Sequence, residues 1–292
     1  MTIANLPHLA QRLFNTPLAI TESKLEVVMA ALADRFGLSQ LFRANGEVLA
    51  IDDSLIAGPD ARQAREDVGY EICEGIAVIP VTGTLVAKLG SIYPYSGMTG
   101  YDGIRATLYN ALADEKVRAI AFDMESPGGE VAGCFDLVDA IYRARGPKPM
   151  WSILTEHAYS ACYALASATD RIIVPRTGGV GSVGVIAACV DMSQALDKAG
   201  IRVELITYGA RKADGSEVRP LSKEARARFQ ADVDKMGALF VDTVARNRKL
   251  KADAVKDTEA ATFMGQDGVD VGFADAVMAP DEALRALYDE IS

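Results

Sequence analysis

A chain of 292 residues, half of them hydrophobic, is long enough to bury one substantial core beside a smaller appendage. Its formal charge of −10 argues against nucleic-acid binding, which depends on neutralising phosphates. The absence of any run of about 18 apolar residues argues against a transmembrane helix.

The four cysteines, Cys73, Cys134, Cys162 and Cys189, are spaced for neither a disulfide framework nor a zinc site. Met1 to Ile20 lacks the basic start and unbroken apolar stretch of a signal peptide. Reduced thiols in a cytoplasmic protein without metal or cofactor are the expectation.

In chain order, Leu25, Val28, Met29, Leu32 and Phe36 follow helical spacing until Gly37, which predicts an amphipathic helix. Leu38 to Glu74 mixes glycine, proline and charge and reads as an irregular connector, so residues 1–74 form an N-terminal extension and 75–292 the main domain. Val117 to Met124 predicts a short buried strand, and Val131 to Tyr142 a helix with Leu137, Val138 and Ile141 on one side. Trp151 to Leu154 predicts the next strand and Ser160 to Ala168 the next helix. Ile201 to Thr207 predicts a further strand, with Tyr208-Gly209-Ala210-Arg211-Lys212 leaving its end. Phe229, Val233, Met236, Phe240 and Val244 mark a long helix from Ser222 to about Leu250, a stripe suited to a core or a subunit interface.

Repeated strand-helix units imply a mainly parallel α/β sheet whose strand C-termini open onto one rim, where ligands bind. Two segments reach that rim. Ser126-Pro127-Gly128-Gly129 ends one strand, and without Cβ atoms its glycines let backbone N–H groups approach a developing oxyanion. Ala158-Tyr159-Ser160-Ala161-Cys162-Tyr163 ends the next strand and puts Ser160 at a helix start, where N–H groups lack partners. Alone, the first is a turn and the second an N-cap. Together on one rim they predict a serine nucleophile facing an oxyanion cradle.

The chain has two histidines, His8 and His157. His8 lies in the extension, and His157 sits three residues before Ser160 with an awkward reach back to its hydroxyl. A Ser-His-Asp triad is therefore poorly served. The other base able to take a proton is a lysine whose ammonium burial destabilises, and Lys212, leaving the end of a predicted strand, is the candidate. Arg211 stays charged and cannot serve. Cys162 is a rival nucleophile, although helical geometry rotates it by about 200° from Ser160.

These segments carry a resemblance. From Gly75 to about Asp275 the chain resembles the signal peptide peptidase A or protease IV family of serine proteases. The matching segments are Ile76 to Gly83, Ser126 to Gly129, Tyr159 to Tyr163, Gly181-Ser182-Val183-Gly184-Val185 and Gly209 to Ala213, with a weaker match at Gly272 to Asp275. The resemblance implies a fold like the Clp protease subunit and crotonases, Ser160 as nucleophile and Lys212 as general base. It further implies an oxyanion hole from Gly128, Gly129 and the backbone of Ala161, and Ser182 is a candidate for orienting the lysine.

Leu13 to Ile20 with the following helix resembles the opening of tailed-phage head-maturation proteases of that family. The implied setting is a host cytoplasm or an assembling procapsid, with scaffold, portal or coat proteins as substrates. Compact members draw serine and lysine from neighbouring protomers, which implies a homo-oligomeric ring. Alternatives are a bacterial cytoplasmic peptidase of the same family, a non-catalytic scaffold, and a crotonase-type acyl-CoA enzyme using Asp123 or Glu125 as its carboxylate.

Overall fold

The computed structural model describes residues 15–33, 69–89 and 97–292. Strand β1 (Pro17–Ile20) and helix α1 (Glu22–Ala33) come first, then β2 (Glu71–Cys73), β3 (Ile76–Thr82), β4 (Thr84–Val86) and β5 (Met98–Gly100). Helix α2 (Tyr101–Ala113) leads to β6 (Ala119–Ser126), β7 (Gly128–Glu130), α3 (Cys134–Arg143), β8 (Met150–Tyr159) and α4 (Ala161–Ser167). There follow β9 (Arg171–Val174), β10 (Gly179–Gly181), β11 (Ile186–Ala187), α5 (Ser193–Lys198) and the long α6 (Lys223–Arg248). The chain closes with α7 (Ala252–Lys256), β12 (Thr262–Met264), α8 (Gln266–Asp270), β13 (Ala276–Val277) and α9 (Pro280–Ile291).

The main sheet runs β12-β10-β8-β6-β3-β2, and β9 pairs both β8 and β13. Strands β3, β6, β8, β9 and β10 pair in parallel, as the strand-helix alternation predicts, while β2 and β12 add antiparallel edges. Pro80 is tolerated inside β3 because β2 covers only Ile76 to Val78, so Pro80 lies where that side of the strand has no ladder to serve. A second sheet runs β11-β1-β7-β4-β5, in which β1 is antiparallel to both neighbours.

Alternation along the central strands divides the core in two. Ile120, Phe122 and Met124 of β6 face a large cluster containing Leu108 of α2, Leu137 and Ile141 of α3, all of α4 from Ala161 to Ala166, and Phe240 and Val244 of α6. Ala119 and Ala121, with Trp151 and Ile153 of β8, face Ala283 and Leu287 of α9. The molecule is therefore a mixed α/β layer structure, as expected, with the nucleophile-bearing helix on the thicker side.

The Gly272 to Asp275 segment serves the packing of the domain. Asp275 receives both terminal nitrogens of Arg248, at 2.9 and 2.8 Å, and the backbone N–H of Ile172 at 2.7 Å. Arg248 also donates to the Gly272 carbonyl, and Tyr163 donates to that of Phe273 while its ring stacks on the Phe273 ring. The segment clamps the end of α6, strand β9 and helix α4 together.

Several expectations need correction. Ile201 to Thr207 forms no strand: all seven residues are exposed and, among the described residues, none pairs into either sheet. Its alternation of Ile201, Val203 and Leu205 with Arg202 and Glu204 fits a half-buried strand, but both sheets already end in other strands. Residues 128–130 form a strand rather than a turn, which delays the following helix to Cys134 behind the left-handed Gly133. Helix α1 agrees with the N-terminal pattern as far as Ala33. Phe36, Gly37, His8 and most of the connector lie outside the described residues.

Candidate active site

Strand β8 delivers Tyr159 to the rim, and the chain turns sharply at the next residue. Ser160 has φ 53° and ψ −119°, a conformation that residues with a Cβ rarely adopt and that costs about 1–3 kcal/mol. Two backbone bonds hold it. The Ser160 N–H donates to Gly181 O at 2.9 Å, and the Ala164 N–H to Ser160 O at 2.9 Å. Helix α4 is buried along its whole length, which fixes the turn from below. The hydroxyl faces Gly184 O at 3.4 Å, and Ser160 as a residue has no exposed surface.

Opposite lies the Ser126-Pro127-Gly128-Gly129 segment. The Ser126 hydroxyl donates to Gly83 O at 2.6 Å and accepts the Gly128 N–H at 3.1 Å, tying the end of β6 to the turn before β4. Gly128 has φ +106°, and a Cβ there would collide with Ala19 O and lie 3.0 Å from the Ser160 Cβ. A Cβ on Gly129 would drive into the Leu85 carbonyl. Both glycines are therefore demanded by close backbone approach, and Gly128 touches the nucleophile's own surroundings. Ala161 occupies the first helical position of α4, where the N–H has no intrahelical acceptor.

The third wall is the Gly181-Ser182-Val183-Gly184 loop. Gly181 and Ser182 both have positive φ, 112° and 55°. The Ser182 N–H donates to Ala261 O, and the Gly184 N–H closes a tight turn onto Ser182 O. That turn presents the Gly184 carbonyl to Ser160. Sequence reasoning marked the whole Gly181 to Val185 segment and gave a role only to Ser182; the Gly184 carbonyl facing Ser160 and the bridging by Ser126 were not anticipated.

Lys212 lies on the segment between α5 and α6. It is exposed in a turn closed by its own N–H on Gly209 O, and no hydrogen bond joins it to Ser160 among the described residues. The expected strand before it is missing, so it does not extend from a strand end. The turn is anchored instead by Asn15 donating to Gly215 O, by the Met192 N–H on Glu217 O and by the Arg228–Asp214 ion pair.

His157 stacks on Tyr159 with ring centroids 4.8 Å apart, and burial lowers its pKa against the opposing pull of Glu125 and Glu156. It makes no hydrogen bond to Ser160 among the described residues. Asp123 and Glu125 alternate with Phe122 and Met124, which face the α4 side. Asp123 lines a groove with Pro280 and Leu284 of α9 on the opposite face of the sheet. No carboxylate of β6 therefore faces the Gly128-Gly129 segment as the acyl-CoA alternative requires.

Cys162 is fully buried in α4, and burial pushes its thiol pKa far up, only partly offset by Ser126. Burial likewise raises Cys134 to about 12. Neither thiolate forms in the folded chain at neutral pH. Iodoacetamide should modify exposed Cys73 and Cys189 and spare Cys134 and Cys162. Peptide mapping by mass spectrometry checks this, and rapid alkylation of Cys162 in folded protein would reopen its candidacy.

Among the described residues no three His, Cys, Asp or Glu side chains are grouped to hold a metal ion, and no helix is long and apolar enough to cross a membrane. Residues 143–291 match peptidase family S49. The chain is 40% identical over 291 residues to the head-tail preconnector protein of Enterobacteria phage P21, covering 97% of this chain and 57% of that one. It is 39% identical over 296 residues to capsid assembly protease C of Escherichia phage lambda, covering 99% of this chain and 67% of that one. Similarity to protease 4 of Haemophilus influenzae is lower, 24% over 269 residues, covering 91% of this chain and 41% of that one. The chain thus spans about three fifths to two thirds of the length of the two phage relatives.

Proposed function

Since the chain belongs to peptidase family S49, we propose that it is a serine endopeptidase that uses Ser160 as nucleophile, Lys212 as general base and an acyl-enzyme intermediate. The observation that carries this reading is the strained Ser160, set between the Gly128-Gly129 segment and the Gly181–Gly184 loop at the head of a buried helix. In the reaction, the Lys212 amine accepts the Ser160 proton as Oγ attacks the scissile carbonyl. The oxyanion is held by backbone N–H groups of Gly128, Gly129 and Ala161, and the lysine returns its proton to the leaving amine. Ser126 takes the Gly128 N–H and Gly129 is paired with Ala19 across the β1–β7 ladder, so the Ala161 N–H at the helix start is the donor without a partner of that kind. Water then repeats the attack on the acyl-enzyme. Ser182 orients the lysine amine.

Lys212 comes from a neighbouring copy in a homo-oligomeric ring. Two features support this. Lys212 is exposed and not bonded to the Ser160 of its own chain, and the segment before it displays apolar side chains to solvent. Ile206 and Tyr208 are essentially fully exposed, as suits a strand that pairs with a second copy. The half-exposed stripe of Phe229, Val233 and Met236 on α6 offers a further interface. The substrates are capsid-assembly proteins, a reading supported by what the names of the phage relatives say of those proteins.

Treatment with a fluorophosphonate tests the chemistry directly. The expected result is a single adduct on Ser160, located by mass spectrometry and absent from Ser160→Ala. Folded, oligomeric protein that remains unmodified, or is modified elsewhere, would overturn the assignment.

A further inference from the structure

Strand β1 occupies a telling place. It is inserted between β7 and β11, antiparallel to both. Strand β7 continues directly from Ser126 and Pro127 and contains both site glycines, while β11 follows the turn that presents Gly184 to Ser160. Both neighbours therefore frame the nucleophile, whereas Pro17–Ile20 arrives from more than a hundred residues upstream.

The fit is close. Leu18, Ala19 and Ile20 are buried, and backbone bonds pin both ends: Asn15 N–H to Ala188 O at 2.9 Å and Thr21 N–H to Pro127 O at 3.1 Å. Ala19 O and the Ser160 Cβ crowd the same point beside Gly128. The strand thus crosses next to the nucleophile, and Ser160 has no exposed surface. A polypeptide whose carbonyl must reach Ser160 needs to lie extended along this same edge of β7, and extended peptides bind such edges by adding a strand.

Resting on the assignment of Ser160 above, we propose that Pro17–Ile20 is a built-in plug that fills the strand slot of the substrate and must leave before a polypeptide can be cleaved. Plug and substrate compete for one set of backbone groups. Activity then reflects the fraction of molecules with the slot open, and the apparent affinity for substrate falls by that fraction.

A reversible covalent lock tests the idea. Leu18 and Ile186 are directly opposed across the β1–β11 pair. Opposed strand residues have Cα atoms about 4.5–5.5 Å apart, within disulfide range. The variant Leu18→Cys/Ile186→Cys is made in a Cys73→Ser/Cys189→Ser background. It is assayed for casein cleavage and fluorophosphonate labelling in oxidised and reduced forms. The oxidised form should cleave and label at least tenfold more slowly, with recovery on reduction. Equal rates in verified cross-linked protein would overturn the plug.

A second measurement separates this from failure of the Ser160 assignment. In Ser160→Ala, excess unfolded casein should accelerate hydrogen exchange of the Ala19 and Thr21 amides. Unchanged protection at saturating casein would overturn the plug whatever residue performs the chemistry. Accelerated exchange, together with no labelling of the reduced double-cysteine protein, would uphold the plug and remove Ser160 as nucleophile.

Discussion

Ser160→Ala and Lys212→Ala should each lose peptide cleavage by several orders of magnitude, since removing one member of a catalytic unit costs about as much as removing all of it. Neither change should unfold the chain. Alanine fills less space than serine at a crowded position, and Lys212 is exposed in a surface turn. The informative experiment mixes the two inactive proteins under conditions of subunit exchange. If the pair spans an interface, a Lys212→Ala subunit supplying Ser160 can meet a Ser160→Ala subunit supplying Lys212. Random assortment in a closed ring creates that arrangement at about one site in four. Recovery approaching that fraction of wild-type activity is expected. No recovery in mixed oligomers verified by mass spectrometry would place both residues in one subunit and require the Lys212 turn to swing inward.

Asp275→Ala should produce a large loss of stability although the residue is remote from Ser160. The Arg248 side chain is only 8% exposed, and its partner Asp275 is 34% exposed. Removing the carboxylate strands a nearly buried guanidinium and also the Ile172 N–H, which no longer has its acceptor. Breaking a buried pair from one side costs about 3–5 kcal/mol, and the partial exposure of Asp275 puts the expected loss near the lower limit. For a chain of this size that corresponds to a melting temperature lower by about 5 °C. Asp275→Asn keeps an oxygen for the backbone N–H and should lose less. A melting temperature unchanged within a degree in Asp275→Ala would show that the clamp adds nothing to stability.

The parallel core was legible in sequence because its strands are buried on both faces. Ala119 to Phe122 is a continuous apolar run and Trp151 to Leu154 is broken only by Ser152; runs this short, flanked by turn residues, suit a buried strand better than a helix. The place of Ser160 at a helix start was legible for a related reason: the small-residue run from Ala161 follows directly on the strand that ends at Tyr159. The Ile201 to Thr207 segment shows the limit of this reasoning. Alternating hydrophobicity reports that one face of a strand is to be covered, and it carries no information about which chain covers it. Strand β1 was missed because four residues, one of them proline, carry too little periodicity. Its role comes from the two distant edges that receive it. Lys212 was selected from its place after an assumed strand, so its relation to Ser160 could not be read from a single chain.

Helix α4 has a thermal consequence. Its seven residues are all buried, and they contact the sheet, α3 and α6 at once. A hydroxyl mounted on such an element cannot loosen by local fraying, since freeing it exposes the centre of the core. Regions that open at little free energy have few buried apolar contacts and solvated backbone, which here describes residues 201–212 and not residues 158–168. On warming, the amide protection of residues 164–167, read by hydrogen exchange, should therefore persist up to the global melting transition. On the proposed mechanism, labelling by a small phosphonate and polypeptide cleavage both need Lys212 of the exposed segment, so both should fade several degrees earlier.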